Sequence, residues 1–190
     1  MTPQIHYKTA FKDVTPEQLN GWIKLNYEQF IGSAIFTKKN TLGSKLVQWG
    51  ERHLFAKCNN QACFTPSHTG SIIDYKGELY IFDMKPPKAT VQPLAEYLLN
   101  TKEDYILVLR DFDLDTKMFS QNLIDHIGES YPYLSALRSV FTKRQSKWRT
   151  HCSELHYRQL LRQGIDLGIN PECTPDELLH ALIERGKKNA

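Results

Sequence analysis

The stretch SIIDYKGELYIF, residues 71–82, predicts a β-hairpin and is the strongest indication of the fold class. β-Branched and aromatic residues fill both halves, and the Lys-Gly pair between them is typical of a two-residue hairpin turn. The Pro-Pro pair at 86–87 is expected to end this ladder, because proline cannot donate to it. A continuous apolar run at 105–110 predicts a central strand buried on both faces, and residues 33–36 predict a short buried strand.

Helical patterns precede and follow these strands. Thr-Pro-Glu-Gln at 15–18 and Thr-Pro-Asp-Glu at 174–177 are capping boxes, and each is expected to begin a helix. Because the strands are grouped between helices and do not alternate with them, the pattern predicts an α+β domain with a small antiparallel sheet packed against helices. We expect a helical arm over residues 1–30 and the main domain over residues 31–190. Further helices are predicted at about 42–54, 93–99, 115–128, 133–142 and 151–164.

Length and composition narrow the class of protein. The 190 residues are 41% hydrophobic and 24% charged, as in one soluble globular domain, and four cysteines are too few for a disulfide scaffold. The formal net charge of +3 is too small to indicate nucleic-acid binding. No long apolar run and no secretory signal pattern is visible, so we expect a cytoplasmic protein without a membrane span. No cofactor is expected.

Cys152 is the first candidate for chemistry. It lies where a helix is predicted to begin, and the free N–H groups and dipole of a helix start stabilise an anion such as a thiolate. His68, just before an apolar strand, is the candidate base. Asp83 ends the second hairpin strand, so we expect it to lie near His68 and to fix the imidazole tautomer. Small residues at 69–71 are expected to let another element pack closely against the strand start.

Separated motifs in the chain carry a resemblance to a known family. Ser-His-Thr-Gly at 67–70, Cys-Ser-Glu-Leu at 152–155, Gly-Ile at 164–165 and Thr-Pro-Asp-Glu-Leu at 174–178 are its main elements. Together they resemble the circularly permuted NlpC-like (YiiX/YebB-like) papain-fold proteins, which are related to lecithin:retinol acyltransferase. The resemblance covers about residues 30–180.

The resemblance implies a permuted papain-like domain, in which the histidine strand precedes a nucleophile helix near the C-terminus. It implies a Cys152 nucleophile, a His68 base and a third polar residue at or next to Asp83, where glutamate is common in the family. A family tyrosine before the nucleophile helix matches Tyr131 or Tyr133. The implied activity is that of a cysteine hydrolase or acyltransferase, acting through a thioester on a peptide-like amide or a lipid acyl substrate.

Two other functions stay open at this point. The chain is also compatible with a catalytically silent papain-fold binding module. Alternatively, the basic segment at 143–149 is compatible with an adaptor for anionic surfaces, including peripheral contact with a membrane.

The remaining cysteines and histidines are interpreted as structural. Cys152 and His156 lie four apart, and Cys58, Cys63 and His68 lie five apart, whereas structural zinc sites use closely spaced ligand pairs. No metal is therefore expected. We interpret His156 as a surface or cleft-wall residue. Three cysteines are expected to be inert: Cys58, Cys63 and Cys173.

Overall fold

A computed structural model describes residues 4–38, 64–85, 87–130 and 152–188 of the chain. Its centre is a six-stranded sheet in which every pairing is antiparallel. The strands are β1 (Ile5–Tyr7), β2 (Ala34–Lys38), β3 (His68–Tyr75), β4 (Glu78–Lys85), β5 (Lys88–Pro93) and β6 (Asp104–Val108). Their order across the sheet is β1-β6-β2-β3-β4-β5.

Helices flank this sheet and confirm the predicted α+β class. They are α1 (Pro16–Leu25), α2 (Tyr27–Phe30), α3 (Leu94–Asn100), α4 (Thr116–Ile124), α5 (Cys152–Arg162) and α6 (Pro175–Lys188), with a 3-10 turn at Lys8–Phe11. Both predicted capping boxes are present, at Thr15 with Gln18 and at Thr174 with Glu177. The helices predicted at 42–54 and 133–142 lie outside the described residues. Within the described ranges, no helix is both long and apolar enough to cross a membrane.

The β3–β4 hairpin forms around the predicted turn. Lys76 and Gly77 both have positive φ angles, 59° and 81°, which match the right-handed twist of the flanking strands. Tyr75 and Tyr80 then meet edge to face across the strands, with ring centroids 5.3 Å apart. Both strands are longer than predicted, since β3 begins at His68 and β4 continues to Lys85. The extension places His68 and Asp83 on the sheet itself.

As predicted, the β3–β4 ladder does not continue past the Pro-Pro pair, and β4 ends at Lys85, but the pair does not end the sheet. The chain turns there and returns as β5, which pairs with β4 from Lys85 opposite Lys88 to Tyr80 opposite Pro93. Proline at 87 lies in the turn, where the ladder does not need its missing N–H group. The residues after the turn therefore continue the sheet.

The first 30 residues contribute both helix and strand. Leu19 and Ile23 of α1 are buried in the core, as expected for an arm that packs over the domain. Ile5–Tyr7 was not predicted as a strand, yet it pairs with β6 along its whole length. Three residues of mixed polarity give no alternation long enough to recognise.

Helix packing on the sheet determines where the site forms. α5 packs against β3 and β4, and α3 packs against β4 and β5. A Cβ at Gly70 on β3 would lie 2.5 Å from Cδ1 and 2.8 Å from Cγ1 of the buried Ile81 side chain. The absence of a side chain at Gly70 therefore lets Ile81 pack directly against β3, two residues after His68.

We expect Gly70→Ala to lower the free energy of unfolding by about 1–3 kcal/mol, because Ile81 must move within a packed core. The matched control is Gly21→Ala on α1, where a Cβ meets nothing within 4 Å. That change should stabilise the protein by about 0.5–1 kcal/mol, since alanine is the better helix former. Urea unfolding of both variants measures the difference, and equal values for the two would contradict the close-packing account.

Candidate active site

The three side chains singled out in the sequence meet at one place. His68 is the first residue of β3, Asp83 lies on β4, and Cys152 is the first residue of α5. Nε2 of His68 contacts Oδ1 of Asp83, and the His68 ring also hydrogen-bonds the Cys152 thiol. All three side chains are buried. Aspartate is one methylene shorter than the glutamate common in the resembling family, and here it reaches the imidazole directly.

The ring nitrogens of His68 have separate partners. A carboxylate can only accept a hydrogen bond, so Nε2 carries the proton in the contact with Asp83. Nδ1 is then the nitrogen left for the thiol of Cys152. Asp83 thus holds the imidazole in the tautomer that can accept a proton from sulfur.

The environment of Cys152 favours a thiolate. Burial alone raises the pKa of the thiol, but the charge of His68 and its hydrogen bond lower it. Hydrogen bonds from the backbone N–H groups of Thr69 and Ser153 act in the same direction, and the net pKa lies below the ordinary value. The position at the start of an 11-residue helix adds the positive end of the dipole.

The two charged partners of His68 outweigh its burial. Desolvation lowers the pKa of the imidazole, whereas the neighbouring Cys152 and Asp83 raise it, with a net pKa of about 10. For Asp83, burial raises the pKa of the carboxyl, but His68 and then Lys85 hold it well below its usual range. The site therefore favours a thiolate, an imidazolium and a carboxylate side by side.

Lys85 is a member of this cluster that sequence reasoning missed. Its ammonium pairs with Oδ2 of Asp83, the carboxylate oxygen that His68 leaves free. Alternation on a strand places residues two apart on the same face, so Asp83 and Lys85 share a face of β4. That period-two relation is the signal that could have identified Lys85, once β4 was known to continue past Asp83.

His156 is not the surface or cleft-wall residue that was expected. It is fully buried on α5, and its Nδ1 lies 2.8 Å from the Ser71 hydroxyl on β3. The first turns of α5 are buried on every side, from Cys152 to Tyr157, so an amphipathic pattern does not describe them. The contact ties α5 to β3. Burial lowers the pKa of His156 to about 4, so its ring is neutral at pH 7.

Cys173 has the surroundings expected of an unreactive cysteine. It is buried, and burial, followed by the charge of Glu177, raises the pKa of its thiol. Its carbonyl oxygen accepts a 2.6 Å hydrogen bond from the Ser153 hydroxyl. Among the described residues, two buried cysteines, Cys152 and Cys173, therefore have opposite pKa shifts.

Several residues named from the sequence lie outside the described ranges. They are Cys58, Cys63, Tyr131, Tyr133 and the basic segment 143–149. Within the described ranges, no group of three or more histidine, cysteine, aspartate or glutamate side chains is arranged to hold a metal ion.

No protein-family model and no curated protein matches this sequence. The chemistry inferred for the site therefore rests on its own geometry and charges.

The buried neutral His156 predicts a loss of stability in acid. The pKa of His156 is about 4 in the folded protein, against an ordinary value of 6.5. Between these two pH values the unfolded chain binds a proton at this residue and the folded protein does not. Stability is complete above pH 6.5 and falls as the pH drops towards 4, by about 3 kcal/mol from this residue. Urea unfolding at pH 7, 5.5 and 4.5 should show this loss in the wild type but not in His156→Gln. Parallel pH curves for the two proteins would contradict it.

Proposed function

We propose that this protein is a cysteine-dependent hydrolase or acyltransferase that works through a thioester on Cys152. The observation that carries the proposal is the buried chain of contacts from the thiol of Cys152 through the His68 ring to the carboxylate of Asp83. This arrangement holds a nucleophile, a base and a residue that orients the base.

The proposed reaction begins with attack of the Cys152 sulfur on the carbonyl carbon of an amide or an ester. The sulfur–carbon bond forms as the thiol proton resides on His68. When the tetrahedral intermediate collapses, His68 gives this proton to the departing nitrogen or oxygen, and the acyl group stays on sulfur as a thioester. His68 then takes a proton from water or from an acyl acceptor, which attacks the thioester and releases Cys152.

The domain is proposed to be a permuted papain-like one. The order along the chain supports this, since the base strand and the acidic strand both precede the nucleophile helix. The antiparallel sheet with α5 packed on β3 and β4 is also what such a domain requires. The motifs at 67–70 and 152–155 that carry the family resemblance are the ones that bear His68 and Cys152.

The proposed substrates are peptide-like amides and lipid acyl esters. The same thioester chemistry serves both, because His68 can protonate either leaving atom. A silent binding module of the same fold is the second candidate. It is favoured by the burial of Cys152, whose residue exposure is 7%.

Selective alkylation of Cys152 tests the proposal. At pH 7 its lowered pKa keeps more of it as thiolate, so we expect iodoacetamide to modify it about tenfold or more faster than an ordinary cysteine. Peptide mapping by mass spectrometry locates the modified residue. His68→Asn should slow the modification strongly, because the imidazolium that stabilises the thiolate is lost.

Cys173→Ala is the matched control, since Cys173 is also buried but has a raised pKa. This variant should be alkylated at Cys152 as fast as the wild type. Labelling of Cys152 at the rate of an ordinary thiol in the folded protein would overturn the enzyme proposal and favour the silent module.

A further inference from the structure

Asp83 has two cationic partners, one on each carboxylate oxygen. Oδ1 contacts Nε2 of His68 and Oδ2 contacts Nζ of Lys85. The Asp83 side chain is only 6% exposed, whereas the Lys85 side chain is 32% exposed and reaches the buried carboxylate from the solvent side. In the reaction proposed above, Cys152 and His68 exchange a proton, but Lys85 has no assigned part.

We propose that Lys85 is a positioning residue of the active site, which holds Oδ2 of Asp83 so that the carboxylate stays ionised and aimed at His68 throughout the reaction. The inference rests on the proposed function. No bond to Lys85 is made or broken, and its ammonium keeps all its protons.

The need for a second cation follows from the proton balance. While His68 is protonated, its charge compensates the buried carboxylate. Once His68 has given its proton to the leaving group, a neutral ring faces Asp83, and a buried carboxylate without a cation tends to take up a proton. A protonated Asp83 could donate to the ring and reverse the tautomer. Lys85 prevents this, because its ammonium stays on Oδ2.

The charged groups around His68 and Asp83 determine in which direction the pKa of His68 changes when Lys85 is replaced. From α5, Cys152 faces His68, and from β4, Asp83 faces it, with Lys85 on the other oxygen of the Asp83 carboxylate. On α3, which packs against β4, Tyr97 lies in the field of Asp83; burial and that field raise the pKa of its hydroxyl, so it is neutral. With Cys152 replaced by alanine, Asp83 and Lys85 are therefore the charges that set the basicity of His68.

Removal of the Lys85 charge should make His68 more basic. The ammonium repels the nearby imidazolium, so its removal leaves His68 as the only cation beside the carboxylate and favours the protonated ring. In a Cys152→Ala background, we expect Lys85→Met to raise the pKa of His68 by about one unit. Lys85→Arg keeps a cation and should leave the pKa close to that of the parent.

The experiment is an NMR titration of full-length protein carrying ¹³C-labelled histidine, with the His68 resonance assigned from a His68→Gln variant. Lys88→Met is the matched control, because Lys88 is the exposed partner of Lys85 across the β4–β5 hairpin and carries the same charge. This control should not shift the His68 pKa. An unchanged or lower pKa in Lys85→Met, or an equal shift in Lys88→Met, would overturn the inference.

A second arm tests whether Lys85 acts through Asp83. In Asp83→Asn, the carboxylate that holds the ammonium near the ring is absent. Adding Lys85→Met to this variant should shift the His68 pKa by less than half of the shift seen when Asp83 is present. An equal shift in both backgrounds would mean that Lys85 acts on His68 independently of Asp83, and the positioning role would fail. The titrations test only the part played by Lys85, and alkylation of wild-type Cys152 tests the proposed function. A failure of one proposal can therefore be told from a failure of the other.

Discussion

The contact between the Asp83 carboxylate and the His68 imidazole is the interaction on which the site depends. An ionised carboxylate buried in a protein is costly unless charged or hydrogen-bonding groups compensate it. Here an imidazolium and an ammonium share the compensation, one on each oxygen. The charge that Asp83 fixes on His68 in turn lowers the pKa of Cys152. Asp83 therefore activates the proposed nucleophile, Cys152, indirectly, through His68.

The sheet makes this contact possible. The tight turn at Lys76-Gly77 sets the register of β3 and β4, and Gly70 lets the buried Ile81 pack directly on β3. α5 lies against both strands, and its bond from His156 to Ser71 anchors the helix one turn beyond Cys152. Side chains far apart in sequence are thus held by one hairpin and one helix.

The parts of this structure that local patterns determine could be predicted from the sequence. The hairpin turn, both capping boxes and the helix beginning near Cys152 each depend on neighbouring residues, and all were found. The proximity of His68 and Asp83 was also expected, because a hairpin joins their strands. The strand at Ile5–Tyr7 and the return of the chain as β5 escaped, since a three-residue strand and a proline turn give weak patterns.

The Lys85–Asp83 ion pair and the burial of His156 were not predicted, for a different reason. The role of Lys85 depends on β4 continuing beyond Asp83, and the burial of His156 depends on a helix start enclosed on all sides. Neither is encoded in a short window of sequence. Both result from tertiary packing. The burial and the neighbouring charges that packing gives to a polar group determine its pKa.

Trapping of an acyl-enzyme is the sharpest test of the proposal that Cys152 forms a thioester. The protein would be mixed with p-nitrophenyl acetate, quenched in acid and mapped by mass spectrometry. We expect an acetyl group on Cys152 that neutral hydroxylamine removes, as it does from a thioester, and that is strongly reduced in His68→Asn. A folded protein that gains no acetyl group on Cys152, or that gains it equally fast without His68, would contradict it.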